Sequence, residues 1–134
     1  MVSPSTNHPT LREQTVFAHT PSIGSSPIAA VTRFPFRGKI VKAGHIANGA
    51  WTGTLSHAVN IIASVADGSA PGAGTAVTGS PFTQSATNSA AGSTASFIPT
   101  GANTGNEDDL ITFTPSGATA SSVSGTYYAV IQMA

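Results

Sequence analysis

The sequence predicts an all-β fold, a jelly roll or β-sandwich with an extended N-terminal arm. Three observations predict it. Apolar residues recur at every second position, most clearly in "GTLSHAVNIIASV". There Leu55, His57, Val59 and Ile61 share one face, and Thr54, Ser56, Ala58 and Asn60 the other. Such segments are short, rich in β-branched and aromatic residues, and bounded by Gly, Pro, Asn or Ser. No segment reads as a helix, because Gly, Thr, Ser and Pro recur throughout. Many short strands with turn signals between them point to a sandwich or jelly roll.

Along the chain, residues 1–30 read as an extended Pro/Ser/Thr-rich arm. Pro4, Pro9, Pro21 and Pro27 each remove a backbone donor and push the preceding residue towards extended geometry. Leu11, Val16, Phe17 and Ile23 are the arm's candidate anchors on a partner. Removing residues 1–27 is then expected to leave a folded domain. The jelly-roll β domain spans 31–134, its first strand beginning near Ile28.

"IAAVTRFPF" and "RGKIVKAGHIA" read as strands around a bend at Pro35–Gly38, with Lys39 on the face of Val41 and Ile40 on the other. The alternating 53–65 segment follows, then "ASFIPT", "DLITFTP" and "GTYYAVIQMA". The stretch from Gly68 to Phe97 has no charged side chain and is too long for a hairpin turn. It reads as one or two irregular strands, around "TAVTG" and "FTQSAT", rather than as a disordered linker. The expected core is Ile40, Leu55, Val59, Ile61, Phe97, Ile111, Phe113, Tyr128 and Val130.

Composition narrows the functions. A chain of 134 residues suits one domain with a modest core. Only 7% of its residues are charged, against about 25% in ordinary globular proteins. Five basic and five acidic residues give zero net charge, too little clustered cation to release counterions from nucleic acid. So weakly charged a chain associates easily with its own copies. Without cysteine there is no disulfide frame, thiolate nucleophile or Cys-based zinc site. No apolar run approaches the ~20 residues of a membrane-spanning helix, and "MVSPSTNHPTLREQTVF" lacks the pattern of a signal peptide. Synthesis and assembly in the cytoplasm are expected.

The charges cluster. Arg33, Arg37, Lys39 and Lys42 lie within ten residues, and Glu107, Asp108 and Asp109 are consecutive. They read either as two solvated turns or as contact residues, the basic strand of one copy facing the acidic turn of another. The "NTGNEDD" oxygens do not match the spacing of an EF-hand loop. His8, His19, His45 and His57 form no H-x-H or H-E-x-x-H arrangement, and His57 reads as an interior or interface histidine. A G-x-S-x-G elbow, a paired-carboxylate site and a phosphate-binding glycine loop are all missing. No catalytic residue and no cofactor are assigned. Trp51, in the turn "NGAWTGT", either caps one end of the barrel or is exposed for sugar binding.

At "RFPFRGKIVKAGHIANGAWTGTLSHAVNIIASVADG" and "DDLITFTPSGATASSVSGTYYAVIQ" the chain resembles the small jelly-roll decoration, or cement, proteins of tailed bacteriophages. The resemblance covers roughly residues 31–134 and is one of pattern, ending in a "G-x-Y-Y-A-V" strand. It implies a virion structural protein without catalytic residues. Such a protein sits on the outer capsid surface as a homotrimer, at threefold and quasi-threefold positions, and bridges neighbouring major capsid protein subunits. An arm reaching across the shell would suit residues 1–30. The alternative is a trimeric head-fibre or receptor-binding module for host surface glycans, which would use an exposed Trp51.

Overall fold

A computed structural model describes residues 12–119 and 123–134. Two antiparallel sheets pack face to face. In the first, β1 (Glu13–Thr20), β10 (Gly125–Met133), β3 (Gly38–Ala47) and β7 (Thr94–Phe97) lie in that order, with β8 (Thr104–Gly105) continuing the β3 edge. In the second the order is β2 (Ala30–Arg33), β9 (Leu110–Ser116), β4 (Leu55–Ile62) and β5 (Thr75–Ala76), with β6 (Phe82–Gln84) also on β4. A 3-10 turn, Ala86–Asn88, follows β6. The expected all-β sandwich is what the chain forms.

Alternation decides the core wherever one face of a strand is apolar. Leu55, His57 and Val59 of β4 and Ile111 and Phe113 of β9 point inward and are fully buried. Phe113 stacks on Tyr127 at 4.8 Å. Ile40, Ala43, Ala129 and Ile131 close the space from the opposite sheet. Ile61 and Phe97 are half-buried and pack against this cluster. A second cluster at one end joins Ile23, Ala47, Trp51 and Leu55.

Two expectations are corrected. In β10 the inward residues are Tyr127, Ala129 and Ile131, whereas Tyr128 and Val130 face outward and are only half-buried. "TYYAVI" is apolar on both faces, so period 2 alone does not choose between them. Shape chooses: the Tyr128 ring lies over Gly44, where a Cβ would meet it at 2.5 Å.

The proposed arm is the second correction. Residues 13–20 are the sheet strand β1, with Val16, Ala18 and Thr20 buried, and Ile23 is wholly inside the core. The prolines that suggested an arm stand on either side of β1, leaving 13–20 free to pair with β10. Residues 1–11 lie outside the described residues.

The ladder of β3 with β10 steps from Val130↔Lys42 to Ile131↔Ile40, so Val41 is an extra residue. The bulge resets the alternation, and His45 joins Ile40 and Ala43 on the inner face. The uncharged 68–97 stretch does form irregular strands, β5 and β6, and buries Val77, Phe82 and Gln84.

Candidate functional site

The charged residues expected to meet a partner lie mostly around one end of the sandwich. β8, the acidic turn and the β2–β3 bend meet there, because Phe34 N–H donates to the Asp109 carbonyl and Asp108 N–H to the Phe34 carbonyl. Arg33 stands 4.0 Å from Asp108 in the same chain, both well exposed, so this ion pair adds little stability. The two charge clusters therefore meet within one molecule at this pair. Asp109 serves the fold, since its carboxylate accepts from the Ser64 and Asn106 backbone N–H groups and closes the turn. Glu107, Arg37, Lys39 and Lys42 are exposed.

Of the expected anchors, Val16 and Ile23 are spent in the chain's own core and are not available to a partner. Leu11 lies outside the described residues. Phe17 is available, 62% exposed on the outer face of the first sheet. Across that face it stands opposite Tyr128, which stands opposite Gly44, with Val130 paired to Thr15 and Lys42 one step along. An exposed Phe beside a half-buried Tyr and Val is an aromatic surface suited to protein contact, with Lys42, Lys39 and Glu13 along the same face.

Between the sheets lies a buried polar cluster. His45 of β3 and His57 of β4 are both fully buried and stack with ring centroids 4.4 Å apart. Gln84 of β6 reaches both: its Oε1 is 2.8 Å from His45 Nδ1 and 3.0 Å from His57 Nε2. Its Nε2 donates to the Ser93 carbonyl at 3.0 Å, which fixes the orientation of the amide. Oε1 can only accept, so both facing histidine nitrogens carry hydrogens. His57 Nδ1 is then the acceptor for the Tyr127 hydroxyl at 2.8 Å. His45 Nε2 carries a lone pair and has no partner among the described residues.

Both imidazoles are neutral. Burial, and then the repulsion that His45 would exert if both rings were protonated, push His57 down to about 3, against the opposing hydrogen bond to Gln84. Burial lowers His45 as well, again opposed by Gln84. Burial raises the Tyr127 phenol, which stays protonated and donating. Every proton in the cluster has a defined place, and the one unpartnered lone pair, on His45 Nε2, is buried.

Among the described residues no three His, Asp or Glu side chains gather as metal ligands. Trp51 is 3% exposed and caps the end cluster, which removes the aromatic platform that the glycan-binding alternative required.

This geometry has a counterpart among solved structures. Over 92% of this chain and 86% of the other, it matches a chain of the structure titled "Capsid of Ralstonia phage GP4", with a TM-score of 0.54 and 11% sequence identity. The two chains share a fold. A second match, to "Structure of infectious bursal disease virus Gx strain", has a TM-score of 0.26 and does not bear on the fold. No protein-family model matches the chain, and neither does any curated protein.

Within this shared sandwich, sequence reasoning placed His57 inside and missed its partners. Gln84 sits in the low-complexity stretch, and the inward turn of His45 depends on a bulge that alternation does not reveal. The outer-face role of Tyr128 was hidden by the doubly apolar β10. A short signal existed for it, since "AGH" in β3 offers a Gly across from an aromatic strand.

Proposed function

We propose that this chain is a structural protein of a tailed-phage virion, a decoration protein that stabilises the capsid. It sits as a homotrimer on the outer surface and bridges neighbouring major capsid protein subunits, having assembled in the host cytoplasm. The observation that carries this reading is the fold shared along most of both chains with a protein of a phage capsid. The low charge and the outward Phe17–Tyr128 face support it, because both favour contact with other protein. A trimer that touches several subunits multiplies weak contacts through effective concentration. The described residues supply contact area and no reactive cluster.

The test mixes purified chain with shells assembled from the major capsid protein encoded in the same genome. Co-sedimentation at saturating, stoichiometric occupancy is expected, with a light-scattering mass for the free protein three times the 13.3 kDa chain. Failure to sediment with the shells would overturn the capsid role; a monomeric mass would overturn the trimer.

A further inference from the structure

The buried cluster is held shut by the smallest element near it. β6 is a three-residue edge strand that pairs with β4 alone among the described strands, through Leu55–Gln84, Ser56–Thr83 and His57–Phe82. From it Gln84 supplies the one acceptor that both histidines share. Phe82 lies over His57 at 4.7 Å and stacks on Phe97 at 5.2 Å. Ser93, at the far end of the same segment, takes both Gln84 Nε2 contacts. Residues 82–93 thus form a strap across the two imidazoles.

We propose that this strap is an acid-released latch: a proton taken up by His57 or His45 has no free acceptor to face, and the strap lifts from β4 to let water reach it. On His57 the new proton must go to Nδ1, where the Tyr127 hydroxyl already points its own hydrogen. That hydroxyl accepts only by turning its hydrogen away into the buried interior. On His45 it must go to Nε2, which abuts Gly125 so closely that a Cβ there would lie 2.1 Å away. Both lone pairs of Gln84 Oε1 are taken, and two imidazolium rings 4.4 Å apart would repel each other.

The surroundings offer no counter-charge. The titratable groups facing the pair are each other and Tyr127 of β10; β6, β7 and β9 contribute Gln84, Phe82, Phe97 and Phe113. Lys39 and Lys42 of β3 point outward. The described carboxylates, Glu13, Asp67, Glu107, Asp108 and Asp109, all lie on the surface or at its edge. β6 is the part of the strap that yields first, because three residue pairs hold it to β4 whereas nine hold β10 to β3. The far end stays tied to Ala47 and Trp51 through Ser89, Gly92 and Ser93. This inference is independent of what the chain assembles with.

Hydrogen exchange on the full chain tests it, with rates corrected for the intrinsic effect of pH. Between pH 7 and about 4.5, peptides covering 82–93 are expected to exchange at least about tenfold faster while β3 and β10 stay protected. Gln84→Glu gives up the Nε2 donor to the Ser93 carbonyl but sets a carboxylate against both imidazoles, and that attraction for the protonated rings should hold the strap closed to a pH about one unit lower. Acid loss of protection spread evenly over all strands would overturn the latch, as would a wild-type strap that stays closed. Release at an unchanged pH in Gln84→Glu would do the same. Should that variant not fold, imidazole NMR of the wild type decides. Titration of His45 or His57 with the strap still protected sinks the proposal.

Discussion

At the scale of single residues, His57 shows how one polar side chain is made tolerable in an apolar interior. It is wedged between Phe82 and Tyr127, with a donor on one ring nitrogen and an acceptor on the other, so neither is stranded. The arrangement suits only the neutral ring. Because His57 in the folded chain lies near 3, below its ordinary 6.5, the unfolded chain binds the proton first. Stability is therefore complete above about pH 6.5 and falls as pH drops towards 3, by up to about 1.4 kcal/mol per unit from this ring. Urea midpoints taken across that range should fall steadily with acidity. Replacing His57 with Gln should flatten the slope, whatever it does to the midpoint at pH 7.

At the scale of elements, β1 carries the largest revision. It supplies Val16 and Ala18 to the main core and leads into Ile23 of the end cluster. Removing residues 1–27 strips an eight-residue edge strand and exposes the β10 backbone that pairs with it. The truncated chain should be destabilised by several kcal/mol, on the scale of losing two or three buried side chains. Circular dichroism and thermal melting would register that as a large fall in melting temperature or as failure to fold.

The six longer segments read as strands from the sequence, around β2, β3, β4, β7, β9 and β10, are all present. They were legible because turn residues bound them and each has an apolar face. β1 was not, because flanking prolines and hydroxyl residues outweighed a modest Val16–Ala18 alternation. The cluster was half legible: a histidine on an apolar face announces burial, but nothing local says which distant amide will satisfy it. Gln84 reaches His45 across 39 residues of chain, a pairing that only the finished sandwich creates.

At the scale of the whole molecule, the two sheets present different exteriors. The outer face of the first carries Phe17, Tyr128 and Val130 together with Glu13, Lys39 and Lys42, while the Arg33–Asp108 pair lies beside the second. If the first is where neighbours in an assembly press, Phe17→Asp should abolish co-sedimentation with capsid shells. It should leave the melting temperature within a few degrees, since an exposed side chain contributes little to the fold. Loss of binding together with loss of folding would instead assign Phe17 to stability. Unchanged binding would move the contact to another surface.

The supernumerary residue in β3 has a consequence for which changes of length the gene can survive. A strand that loses one residue normally turns everything on one side of the cut inside out. At Val41 the opposite holds: with it gone, Ile40 and Ala43 still point inward and Lys39 and Lys42 outward, because the ladder already steps over that position. An in-frame loss of that codon would spare both faces of the sheet, whereas the same loss at Val59 would thrust Asn60 or Ala58 into the place of a core side chain.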